Sequence, residues 1–352
     1  MVKRAIYRIY IVISACLIIA GGLALAWSMN YGASKVPLRQ YFSRDRVNAV
    51  WDWSNPMTKT QKDLKSISDF MYLHQLTAVY VDVGQYEQFI NSPLSEKEKS
   101  DKQKFEQSLK NYIKELGKRN IQVYAAAGNT DWSTPPLRHI PISILELVHA
   151  YNEEHPDAAF AGMQFDIESY NQEGFAEGST TVKALVLEDF LDTVDRLLTA
   201  SELYNESNNT TFGLGFAIPY WFDNENGNIP VVTWRNKTGP ALYHLMDRLN
   251  MSPNNNVVVM AYRNAARGND GIIAHSRSEV DYARAVAPNV SVVIGQEVND
   301  VEPAKITYFG STTTKLSNEI GFTKEAFGDT EQFRGIAIND LDGFRQLEAD
   351  ER

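Results

Sequence analysis

The sequence predicts an α/β chain: a TIM-type (β/α)8 barrel preceded by one N-terminal transmembrane helix. Three observations predict it. Short β-branched runs alternate with amphipathic helical stretches from residue 47 onward, which argues a parallel sheet. Eight such units in about 300 residues suit a closed barrel better than an open sheet. A 19-residue run without formal charge, residues 9–27, precedes them all.

The N-terminal elements come first. Residues 1–8 form a short basic tail holding Lys3, Arg4 and Arg8. Residues 9–27 rise 1.5 Å each as a helix and can just cross a hydrocarbon core of about 30 Å. Tyr7, Tyr10 and Trp27 suit the two interfaces. The small-x-small triplet Ala24-Leu25-Ala26 leaves a second reading open, a secreted chain cleaved after Ala26. Residues 28–46 read as a polar tether. Lys35, Arg39, Arg44 and Arg46 lie in it, so basic residues bias orientation only weakly. A short basic N-terminus usually stays inside, so the expectation is a single-pass membrane protein with its barrel outside the cytoplasm.

Residues 47–352 form the barrel domain. Its strand-like runs are 47–53, 76–84, 121–128, 162–168, 212–219, 257–263, 290–297 and 334–341. Helical patterns between them include 58–73, 102–116, 142–153, 181–203 and 279–286. The connections after strands three to six are long: 129–141, 169–180, 220–240 and 264–275. In a barrel these strand-to-helix loops build the active face. They carry Trp132, Tyr170, Tyr220, Trp221 and Trp234 among many amides and carboxylates. Rings for sugar C–H faces, with hydrogen-bonding groups for hydroxyls, suit carbohydrate, with Tyr220 and Trp221 as candidate contacts.

Composition removes other classes. With 44 acidic and 34 basic residues the net charge is −10, which opposes nucleic-acid binding. The single cysteine, Cys16, excludes an intrachain disulfide and a thiolate metal cluster. Six histidines show neither HExxH nor HxH spacing, so no metal site is expected, and no cofactor is implied. The expected partners are a glycan or glycoconjugate substrate and, through residues 9–27, a membrane.

The densest chemistry lies at Gly162-Met163-Gln164-Phe165-Asp166-Ile167-Glu168. Alternation turns Met163, Phe165 and Ile167 towards the helices and Gln164, Asp166 and Glu168 towards the barrel axis. A row of interior polar groups is costly unless paired or functional. On the seventh run, Ser291, Val293, Gly295 and Glu297 share the inward parity, so Glu297 ends a strand facing in. On the second, Tyr80, Asp82 and Gly84 share a parity, with Asp82 placed to bind a sugar hydroxyl or pair with Gln164. On the first, Trp51 reads as core and Trp53 as a strand-end residue near the cleft. Arg263, next to inward Tyr262, reads as a salt bridge on the rim unless the strand end twists.

Residues 161–168 resemble the fourth-strand signature of the family-18 glycoside hydrolases, the chitinase-like barrels, written DGxDxDxE. Gly162, Asp166 and Glu168 match; Ala161 and Gln164 replace the two earlier aspartates. Val259-Met260-Ala261-Tyr262 is similar to that family's sixth-strand MxY element, with Arg263 where an aspartate is expected. Residues 335–342 resemble its last strand, with Asn339 in the place of the tryptophan that floors the sugar pocket. The resemblance implies a glycosidase with Glu168 as the acid, Asp166 orienting a substrate acetamide and Tyr262 hydrogen-bonding it. A second pattern also looks familiar: Glu168 and Glu297 resemble the strand-four and strand-seven glutamate pair of retaining barrel glycosidases, with Glu297 as nucleophile. The functional expectation is a membrane-anchored barrel that hydrolyses an extracellular or cell-wall glycan. The alternative is a non-catalytic carbohydrate-binding or scaffold barrel on the same fold.

Overall fold

A computed structural model describes residues 47–351 other than 92, 225, 226 and 228. The basic tail, the apolar run 9–27 and the tether 28–46 lie outside the described residues. Among the described residues, no helix is long and apolar enough to cross a membrane.

Eight parallel strands close a barrel. They are β1 (Val47–Asp52), β2 (Ala78–Asp82), β3 (Gln122–Gly128), β4 (Gly162–Asp166), β5 (Gly213–Pro219), β8 (Asn256–Met260), β9 (Ser291–Glu297) and β10 (Phe333–Asn339). Their order round the barrel is β1-β10-β9-β8-β5-β4-β3-β2, so the first and last strands pair, Val47 opposite Gly335 and Val50 opposite Ile338. The remaining strands, β6 (Val232–Trp234) and β7 (Lys237–Gly239), form an antiparallel hairpin in the loop after β5. Its turn residues Arg235 and Asn236 both have positive φ, the conformation that matches the twist of a tight hairpin. From sequence alone this segment, within 220–240, reads as loop.

Nine helices are described: α1 (Gln61–Leu73), α2 (Glu96–Gly117), α3 (His139–Glu154), α4 (Thr180–Asn208), α5 (Ala241–Leu249), α6 (Ile272–His275), α7 (Arg277–Ala285), α8 (Thr313–Phe327) and α9 (Leu341–Ala349). Local chemistry sets where they start. Thr60 caps α1 with Asp63 answering in a reciprocal box, and Ser95 caps α2 with Glu98. The second box starts α2 at residue 96, six residues before the expected 102, because it supplies acceptors for the first free N–H groups.

Period-two alternation divides the apolar residues into two cores. Val79, Phe165, Phe216 and Ile294 face the helices. Ala49, Trp51, Ala78, Tyr80, Ala126, Val258, Val293 and Ala337 fill the barrel axis. Four alanines there make room for the Trp51 and Tyr80 rings, whose centroids lie 5.1 Å apart. Several ladders end sooner than expected: β1 at Asp52, β4 at Asp166 and the sixth barrel strand at Met260. Side chains keep alternating beyond the last ladder bond, as the buried Ile167 shows, so apolar pattern overstates strand length there.

Candidate active site

Asp166 closes β4 and Glu168 follows two residues later, heading a short turn, Ser169–Asn171. The Glu168 carboxylate is held by its own turn: Tyr170 donates its hydroxyl to Oε1 at 2.6 Å, and Asn171 donates Nδ2 to Oε2 at 3.0 Å. Asp166 differs. Its Oδ1 is buried and finds no hydrogen-bond partner among the described residues. Burial, and then the charge of Glu168, push the Asp166 carboxyl up to about 7. Asp166 therefore holds its proton to near neutral pH at the C-terminal end of a barrel strand.

Glu297, the last residue of β9, is 5% exposed and saturated on one side. Its Oε1 accepts from Val298 N at 2.9 Å, Asn299 N at 2.7 Å and Asn299 Nδ2 at 2.8 Å. Its Oε2 accepts from Asn339 Nδ2 at 2.7 Å. Asn339 pairs with Glu297 in register on β10, and its Oδ1 takes the indole N–H of Trp53 at 2.9 Å. That indole bond fixes which way the Asn339 amide faces: with the oxygen committed to Trp53, the NH2 meets Glu297. Burial raises the Glu297 pKa, and the donors from Asn299, Asn339 and Val298 work against it.

Tyr262 joins the two halves. Burial holds its hydroxyl far above the usual tyrosine range, followed by the charges of Glu297, Asp166 and Glu168. All three carboxylates thus act on one phenol. Arg263 turns to the rim, where Nε donates to Asp270 at 2.8 Å, NH1 to the Tyr262 carbonyl and NH2 to the Tyr220 hydroxyl. Lys305, His275 and Arg263 together hold the Asp270 carboxyl well below its ordinary value.

The other sequence-chosen residues divide. Tyr220 is braced between His275, with ring centroids 3.9 Å apart, and the Arg263 guanidinium. Trp221 packs edge-on to Tyr170, the residue that holds Glu168. Asp82 accepts from Gly84 N at 2.7 Å; burial and nearby Asp52 raise its pKa. Gln164 does not reach the cleft. It is 1% exposed, and its amide is committed within the barrel: the oxygen accepts from Phe216 N and Ala217 N, and the NH2 donates to Asn256 Oδ1 at 3.2 Å. Gly215, opposite it on β5, makes room, since a Cβ there would sit 1.9 Å from the Gln164 side-chain amide. Of the two roles open to Asp82, the pairing with Gln164 is not made among the described residues. Trp132, expected as part of an exposed platform, is 2% exposed and packs in the outer core, where its apolar ring is better placed than in water.

Sequence reasoning missed Asn299 and the hold of Tyr170 on Glu168. The available signal was short-range: an amide two residues after a strand-ending carboxylate, and a tyrosine two residues after another. Both fold back on their own turn, as polar side chains at strand ends do.

No protein-family model matches the chain, and no curated protein sequence matches it. Solved structures do. A GH18 chitinase from Pseudoalteromonas aurantia superposes with a TM-score of 0.51 at 12% identity, over 87% of this chain and 100% of that one. A GH18 chitinase from Cycas revoluta, in complex with (GlcNAc)3, gives 0.51 at 10% identity, over 84% and 95%. The chain shares the fold of these chitinases.

Proposed function

We propose that this barrel hydrolyses glycosidic bonds in a glycan, with Glu168 as the general acid. The observation that carries the reading is the carboxyl pair at the end of β4: Asp166, with a buried unpartnered oxygen and a pKa near 7, beside Glu168 in the mouth it shares with Tyr262 and Glu297. A proton that Asp166 keeps to near neutral pH, next to Glu168, is one the pair can pass to a leaving oxygen through Glu168. The common fold with two GH18 chitinases supports the same class.

In the route we favour, Glu168 gives its proton to the leaving oxygen while Glu297 attacks the anomeric carbon. Water, deprotonated by Glu168, then releases the sugar from Glu297. The polar Asn339, bonded to Glu297 where an apolar floor would serve an acetamide, favours this route. The unpartnered Asp166 oxygen favours a second route, in which a substrate acetamide attacks and Asp166 orients it. Glu297→Ala separates them. Under the first route activity falls and azide restores part of it; under the second it barely changes, Asp166→Ala is severe, and substrates without an N-acetyl group are inert. Glycan binding without turnover on any aryl glycoside or glycan fragment would overturn hydrolysis and leave a carbohydrate-binding barrel. The substrate in this proposal is extracytoplasmic, with residues 9–27 as anchor. The full chain then resists carbonate extraction, whereas a mature N-terminus at Trp27 would show cleavage instead.

A further inference from the structure

The opposite mouth of the barrel carries an inference independent of the catalytic reading. Barrels usually fill their axis with layers of bulky branched side chains. Here the inward positions that open β4, β5 and β9 are Gly162, Gly213 and Ser291. The N-terminal mouth is consequently left as a cavity of about 410 Å³ reaching down to Tyr80 and Val293. That volume lies at the lower end of the range for small-molecule sites, about 300–1,000 Å³.

The lining has a definite chemistry. It holds no carboxylate, and its one formal charge is Arg334, which makes no ion pair among the described residues. Hydroxyls and amides surround it: Ser291, Thr211, Asn254, Asn256 and Gln122. Tyr80 lines the cavity, and its hydroxyl makes no hydrogen bond to the described residues. A bound hydroxyl would give it a partner. Tyr80 and Tyr124 stand edge-to-face at 5.8 Å and give an aromatic wall for C–H groups.

We infer that the N-terminal mouth is a second binding site, for a hydroxyl-rich anion of monosaccharide size such as a hexuronate, with its carboxylate on Arg334 and a hydroxyl on Tyr80. The carboxylate-lined mouth at the other end repels such a ligand, so charge directs it to this one.

Titration calorimetry on the full-length protein in detergent tests this, with glucuronate, glucose and inorganic phosphate as probes. Glucuronate should bind, and glucose and phosphate should each bind at least tenfold more weakly. Arg334→Ala, on an exposed side chain, should weaken glucuronate at least tenfold. Ser291→Leu, which fills the cavity, should abolish binding, with an unchanged circular dichroism spectrum showing that the barrel is intact. Failure of glucuronate to bind overturns the inference. So does phosphate binding as tightly, which would reduce the site to a lone guanidinium. Loss of binding in Trp53→Ala with Ser291→Leu silent would put the anion in the catalytic mouth and overturn it too.

Discussion

The two mouths of this barrel are built from the same eight strands and have opposite chemistry. At the C-terminal ends, Asp166, Glu168 and Glu297 crowd one tyrosine hydroxyl, and Asp52, Asp82 and Asp340 lie close enough to one another for Asp82 and Asp340 to feel Asp52's charge. At the N-terminal ends no carboxylate lines the cavity and a lone arginine does. The difference teaches where the sequence spends its large side chains. The upper mouth is crowded and its oxygens are mostly taken, by Asn299, Asn339, Tyr170 and Asn171. The lower mouth opens where glycine and serine stand in the place of branched residues. Gln164 and Asn256, bonded to each other over Gly215 of β5, lie between the two.

The sharpest way to break the contrast is to remove the proton from the upper mouth. Glu168→Gln should lower turnover by at least about 10²-fold, because an amide cannot protonate a leaving group. A variant that keeps full activity would end the assignment of that mouth as catalytic. The divide between the ends comes next. Gly215→Ala places a Cβ against the Gln164 side-chain amide and should destabilise the protein by about 1–3 kcal/mol, read from the urea midpoint. No change would mean that Gln164 is not held as described.

Third is the clamp on Glu297. Asn299→Ala removes one side-chain donor from Oε1, and kcat should fall about tenfold, equivalent to about 1.4 kcal/mol. Losing a donor to the charged form raises the Glu297 pKa, so the acidic limb of the kcat/KM profile should move to higher pH. A limb that stays in place while kcat falls would make Asn299 a packing residue only. The smallest effect is a slope. The folded Asp166 carboxyl, near 7, lies above its ordinary value of 3.8, so the folded state binds that proton more tightly. Its stabilising contribution is complete below 3.8 and is lost as pH rises through about 7. Asp166→Asn should flatten the fall of Tm across that window; an identical slope in both proteins would show that another group titrates.

Alternation made most of this legible in advance. Period two on β4 and β9 placed Asp166 and Glu297 inward and Phe165 and Ile294 outward, because a strand with one face on the helices and one on the axis must alternate. It also placed Gln164 inward, but inward is not the same as accessible: depth along the strand decides that, and Gln164 sits a full rung below Asp166. Trp132 failed for a related reason. A loop tryptophan can cover the core beneath as readily as face a ligand, and local sequence does not distinguish the two. Asn299 has no periodicity to betray it, since it acts through a turn. The lower cavity could have been suspected from Gly162, Gly213 and Ser291 at three strand starts, but only register sets Gly162 beside Gly213 and Ser291 beside Asn256.

The pairing of β1 with β10 has a consequence for how the protein is made. Trp53 and Asn339 are 286 residues apart in sequence, yet their hydrogen bond orients the amide that holds Glu297. Contacts of such separation close late in folding, because loop entropy must be overcome before they form. The upper mouth therefore cannot be assembled on a nascent chain until the ribosome has released the last strand. A product truncated before residue 333 would keep Asp166, Glu168 and Glu297 but lose the strand that closes the ring and the amide that steadies the last of them. Any turnover would then report completed synthesis and closure together, and such fragments would be silent even with Asp166, Glu168 and Glu297 present.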